Sequence, residues 1–136
     1  MTDMNLSVEQ FVNQFIRKSR RERLLYELTT PSKRYEGLSR FCHQSKELID
    51  PAMILMEGED LERSSGFLSF LHGHDTECLV LSPDYSLDGA SVLLSEAVEK
   101  AVSCFDAVLI LGKGFAVVFG EVMKGGRGKY LLVDKH

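Results

Sequence analysis

Residues 107–133 constrain this chain more than any other stretch. Ala107-Val108-Leu109-Ile110-Leu111 passes through Gly112-Lys113-Gly114 into Phe115-Ala116-Val117-Val118-Phe119, and Gly125-Gly126-Arg127-Gly128 then leads into Tyr130-Leu131-Leu132-Val133. β-Rich runs joined by short glycine-bearing connections are hairpins, so this end reads as an antiparallel meander. The runs are apolar at nearly every position rather than at alternate ones. Such strands are covered on both faces, and helices are the expected cover.

The clearest helix lies near the other end, where Val8, Phe11, Val12, Phe15 and Ile16 fall on one helical face behind a Ser7/Gln10 capping pair. Leu24, Leu25 and Leu28 continue the apolar pattern on nearly the opposite side, at about 100° per residue. Two arrangements satisfy this: a break near Ser19, with Ser19/Glu22 as a second capping pair, or one long, kinked helix that buries both faces. The long helix is the expectation. Thr30-Pro31 ends it and opens a further helix through Leu38, Phe41, Cys42 and Ser45, with Gly37 as its weak point.

Beyond Asp50-Pro51 the pattern predicts a strand over 52–56, a helix over 60–71, a strand over 78–81 and an amphipathic helix over about 90–103. The expected fold class is therefore α+β: a helical N-terminal part packed on a mixed, largely antiparallel sheet of four to five strands that ends in the meander. With 136 residues the chain is sized for a single domain, 1–136, with a helical, basic part over 1–50 and a strand-rich, acidic part over 51–136.

Hydrophobic residues at 44% and charged residues at 26% exclude a disordered or fibrous chain. No apolar run approaches the roughly 18 residues that span a bilayer. The segment Met1-Thr2-Asp3-Met4-Asn5-Leu6 lacks the basic and apolar regions of a signal peptide, which predicts a cytosolic protein. Cys42, Cys78 and Cys104 are odd in number and unpaired in spacing, as expected of reduced thiols.

The net charge of −4 is unevenly distributed: residues 1–43 hold 8 of the 16 Lys+Arg but only 5 of the 20 Asp+Glu. Arg17, Lys18, Arg20, Arg21 and Arg23 crowd into one segment with a single acid, Glu22, while Glu57, Glu59, Asp60 and Glu62 crowd into another with no base. The basic segment is the candidate partner-binding surface, provided the 57–62 acids do not neutralise it within the fold. Lys33, Arg34 and Arg40 lie close behind and would enlarge it if the helices fold back on one another. The expected partner is another protein. Overall negative charge and the lack of interleaved aromatic and basic residues argue against nucleic acid.

A second candidate is the loop 82–89, where Asp84, Tyr85 and Asp88 leave the carboxyl end of a strand, the position of many ligand sites. The same residues also suit a turn and a helix cap. Cys42, His43, His72, His74 and Cys78 are metal-ligand types, but their spacing is not that of a structural zinc site, so no metal and no cofactor is expected. Cys42 and His43 are helix neighbours that diverge, which excludes a local thiolate–imidazole pair. The glycines around Lys113 and in 124–129 lie between strands, whereas a phosphate cradle opens a helix. They read as hairpin tips, the second of them cationic.

Two function classes fit these residues. The first is a non-enzymatic interaction module, a regulator or an antitoxin- or immunity-like protein, that works as a monomer or homodimer through its charged face. The second is a small enzyme or ligand-binding domain with its site at the 82–89 loop, lined by N-terminal basic residues.

Overall fold

The computed structural model describes residues 4–124 and 126–134. Met1–Asp3, on which the signal-peptide reading partly rests, and Gly125 of the glycine-rich connection lie outside them. The helices are α1 (Met4–Phe15), α2 (Arg21–Thr29), α3 (Arg34–His43), α4 (Ser45–Leu48), α5 (Ser65–Gly73) and α6 (Leu94–Val102). The strands are β1 (Ile54–Glu57), β2 (Glu77–Leu81), β3 (Ser91–Leu93), β4 (Val108–Leu111), β5 (Phe115–Phe119) and β6 (Lys129–Val133). They form one sheet in the order β1-β6-β5-β4-β2-β3, and every neighbouring pair is antiparallel. The α+β class and the C-terminal meander hold. The sheet has six strands instead of four to five, and it is wholly antiparallel rather than mixed.

The extra strand is β3, which pairs Cys78 with Val92 and runs directly into α6. The loop 82–89 therefore closes a hairpin between β2 and β3, with Gly89 at φ +84°, instead of passing from a strand to a helix. Both edge strands are short, and β1 is interrupted by a bulge at Leu55, which blunts the edges against further pairing.

The uniformly apolar strands serve two cores. Leu79, Leu81, Leu109, Leu111, Val118 and Leu132 face α1–α4, whereas Cys78, Val80, Ile110, Val117, Phe119 and Leu131 face α5 and α6. Alternation along each strand sends successive side chains to opposite faces, so a strand between two helical layers has no polar side. Phe15, Phe41, Phe67 and Phe119 are among the largest fully buried side chains. Burial of a side chain of this size stabilises by roughly 1.5–3 kcal/mol.

The expected long N-terminal helix is two helices. At the boundary Ile16 leaves the helix and bridges Ile49, Asp50 N–H donates to the Phe15 carbonyl at 2.8 Å, and Arg17 N–H donates to Leu48 at 2.8 Å. Arg17 is extended (φ −53°, ψ 134°), and a 3-10 turn over Lys18–Arg20 restarts the chain in α2. The two apolar stripes thus reach one core without one helix burying both faces. Neither proposed serine cap forms: Ser7 lies inside α1, and α2 starts after Arg20 with no side-chain cap. Pro31 likewise occupies a turn before α3 instead of its first position. Ser64, in contrast, caps α5 by accepting a hydrogen bond from Phe67 N–H at 3.2 Å.

Gly37 is buried where α3 crosses α2. A Cβ at this position would stand 2.8 Å from the Glu27 Cβ, so glycine permits the close approach of the two helices. Among the described residues, no helix is long and apolar enough to cross a membrane.

Candidate functional site

The break after α1 projects the basic segment outward. Arg17, Lys18, Arg20 and Arg23 are exposed, and Glu22 is the one acid within the segment. Arg20, Arg23 and Tyr26 succeed one another at three-residue intervals, and the Tyr26 side chain is also exposed. Three-residue spacing stacks these side chains along one helical surface. Tyr26 belongs to the surface, and its spacing from Arg23 was the available signal. Arginine and tyrosine dominate the energetics of protein interfaces because they combine area with directed polar groups.

Arg21 differs from its neighbours. It is partly buried, and its Nε donates to the Ile16 carbonyl at 2.9 Å, which ties α2 to the break. Arg23 retains 71% exposure while lying 3.8 Å from Glu27. Arg40 donates to the same Glu27 carboxylate from α3. Arg34 is engaged as well, so of the second basic set Lys33 alone is exposed and makes no ion pair with a described residue.

The 57–62 acids do not meet the basic segment. Glu62 accepts two hydrogen bonds from Lys129 Nζ, at 2.8 and 3.0 Å, and the Glu59 carboxylate accepts one from Arg127 N–H at 3.3 Å. Asp60 pairs with Arg63 at 3.6 Å. Burial pushes the Glu62 carboxyl upward, but the hydrogen bonds from Lys129 and from its own backbone amide, with the Lys129 charge, hold it below the usual carboxylate range.

Of the cations in and beside the connection between β5 and β6, Lys124 is exposed, but the other two do not form a cationic tip. Arg127 and Lys129 are buried against the Phe119 ring, at 5.2 and 5.8 Å from its centroid. The Arg127 guanidinium donates to the carbonyls of Gly120, Ala101 and Asp106, so it fastens the connection to the end of α6. Sequence reasoning missed these roles because, Gly120 apart, the acceptors come from distant segments.

The loop 82–89 does meet the N-terminal helices. Arg34 Nη2 donates to Asp88 Oδ1 at 2.6 Å, and the same oxygen accepts Ser82 N–H at 3.0 Å. The Tyr35 and Tyr85 rings meet edge to face at 5.0 Å. Burial, the Tyr85 hydroxyl and nearby charge push the Tyr35 phenol up to about 12. Asp84 accepts from the Ser86 hydroxyl at 2.7 Å and from its amide at 2.9 Å, and these bonds hold its carboxyl below the usual range. Asp84 and Asp88 therefore organise the loop and dock it on α3, while Tyr85 leaves most of its ring in solvent.

The histidine and cysteine candidates do not converge. Cys42 and Cys78 belong to cores on opposite faces of the sheet. His43 lies 3.5 Å from Glu121, His72 is exposed, and His74 stacks on Phe70. Burial pushes the Cys42 thiol up to about 12 and the Cys78 thiol to about 11, and it also raises Cys104, so each is held away from the thiolate that a nucleophile requires. The hollow beside Asp84 is lined by Glu96, Glu99 and Lys100 of α6 and contains none of the histidines. Asp84, Cys104 and Asp106 are the one group of three potential metal ligands among the described residues, and Asp84 is already hydrogen-bonded to Ser86 and Cys104.

The chain matches no protein-family model, no curated protein and no solved structure.

Proposed function

We propose that this chain is a small cytosolic protein-interaction module, a regulator or an antitoxin- or immunity-like protein, that captures an acidic partner protein through Arg17, Lys18, Arg20 and Arg23. One observation carries the reading: Glu62 and Glu59 turn onto Lys129 and the Arg127 amide and Asp60 onto Arg63, while Arg17, Lys18, Arg20 and Arg23 stay exposed. An exposed cationic cluster steers an oppositely charged surface during encounter, and Tyr26 beside it offers an apolar anchor. Short, blunted sheet edges support a module that acts as a monomer.

The test compares the full chain with a Lys18→Glu/Arg20→Glu/Arg23→Glu variant in affinity capture from native cytosol, with mass spectrometry of the captured proteins. The expected result is an acidic protein retained by the original chain, released by rising salt and absent from the variant. Equal capture by both chains overturns the reading. Nucleic acid as the only material lost from the variant overturns the assignment of a protein partner.

A further inference from the structure

We propose that the cleft between α1 and the β4–β5 turn binds a small zwitterion with an apolar body, of the α-amino-acid class. The cleft encloses about 450 Å³, within the roughly 300–1,000 Å³ of small-molecule sites. Its floor is the open end of the α1-side core: Phe11, Phe15, Leu79 and Leu111. Leu79 and Leu111 retain 6% and 7% exposure there, while Leu81 and Leu109, further along the same strands, retain none. Leu79 and Leu111 therefore show only their edges at the floor, where the core is less tightly covered than further along the same strands.

Two opposite charges stand over this floor. β2 and β4 pair Leu79 with Leu111 and Val80 with Ile110. Glu77 lies two residues before Leu79 on β2, and Lys113 lies in the β4–β5 turn two residues beyond Leu111, the partner of Leu79. Both residues line the cleft, yet they do not close into an ion pair. Ser91 Oγ holds the Glu77 carboxylate by a 2.7 Å hydrogen bond, and Gly114 at φ +82° turns the chain just beyond Lys113. Ser7, Gln10 and Gln14 add hydroxyl and amide groups from the polar flank of α1.

A simple anion entering here would meet Glu77, and a simple cation would meet Lys113. A ligand carrying both charges satisfies each: its carboxylate accepts from Lys113, its ammonium donates to Glu77, and its apolar side chain covers the floor. Charge-assisted hydrogen bonds of this kind are the strong ones, and both must form for the ligand to be held. The site is separate from the Arg17–Arg23 surface, so either assignment can fail without the other.

Isothermal titration calorimetry of the full chain with free leucine, free phenylalanine, N-acetyl-leucine and leucinamide tests the assignment. Saturable binding of a free amino acid is expected, weakened about tenfold or more when either ligand charge is removed. Lys113→Met should erase the preference for the free carboxylate, and Glu77→Gln the preference for the free ammonium. Both side chains are exposed, so circular dichroism should report an unchanged fold. Amide shifts on titration of the ¹⁵N-labelled original chain should centre on Gln14, Leu79 and Leu111. The proposal is overturned by no saturation with any of the four compounds up to about 10 mM, by derivatives that bind as tightly as free leucine, or by shifts centred elsewhere.

Discussion

The Lys129 ammonium bridges both oxygens of Glu62, at 2.8 and 3.0 Å, and the two side chains are only 9% and 10% exposed. One partner opens β6, and the other lies in the 3-10 turn Leu61–Arg63 that precedes α5, so the pair links the sheet to the helical layer over Phe119. Removing one member of a buried pair leaves an uncompensated charge, at a cost of about 3–5 kcal/mol. Glu62→Ala and Lys129→Ala should each lower unfolding free energy by that order in urea titrations. The double variant Glu62→Leu/Lys129→Met should lose less than either single change, because neither charge is then stranded.

The same pair sets part of the response to acid. The folded-state pKa of Glu62 is depressed relative to an unfolded value of about 4.3. Its contribution is therefore complete above that pH and disappears as pH falls through the lower folded value. Glu62→Gln should flatten the acid limb of the stability curve below about pH 4. Some slope should persist, since the Asp84 carboxyl is also held low.

At the crossing of α2 and α3 the expectation reverses the usual helix rule. Alanine normally favours a helix interior over glycine by about 1 kcal/mol. At position 37 the added methyl would meet the Glu27 Cβ, so the two helices would have to separate. Gly37→Ala should destabilise by about 1–3 kcal/mol, and thermal unfolding would show the sign directly.

The three thiols are buried and protonated, which makes labelling a probe of opening. Cys42, Cys78 and Cys104 should resist a thiol reagent such as 5,5′-dithiobis(2-nitrobenzoate) at neutral pH and react fully in denaturant. Cys78, at 2% exposure, should react last in the native protein, after Cys42 and Cys104 at 8% and 9%. Rapid labelling of Cys42 without denaturant would contradict its burial on the core-facing side of α3.

What the sequence disclosed follows from the range of the forces involved. The meander was legible because its turns and apolar strands are specified within a few residues, from Ala107 to Val133. β3 was not, since Ser91-Val92-Leu93 fits the phase of the helix it precedes and becomes a strand only by pairing with Glu77–Leu79. The interruption after Phe15 depends on Ile49 and Asp50, which come from another part of the chain. Among the candidate residues, the exposure of Lys18 and Arg20 agrees with their crowding in sequence. The burial of Arg127 and Lys129 contradicts the glycine-rich look of their loop, because carbonyls and carboxylates from residues 59–62, 101, 106 and 120 converge on them.

Five cations lie within residues 17–23, and the fold divides them by what they touch. Arg21 Nε satisfies the Ile16 carbonyl at the point where the helix is interrupted, and that carbonyl is in a buried residue. Arg21→Ala leaves the acceptor without this donor and should cost about 1–3 kcal/mol. Lys18 and Arg20 make no ion pair with a described residue, and the contact of Arg23 with Glu27 is long and solvent-screened. Arg20→Ala and Lys18→Ala should each stay within about 0.5 kcal/mol of the original chain, and Arg23→Ala should lose no more than about 1 kcal/mol, the upper end for exposed pairs. Urea unfolding of the four single variants measures the split. If Lys18→Ala or Arg20→Ala destabilises as much as Arg21→Ala, those side chains belong to the scaffold and are not free to meet a partner.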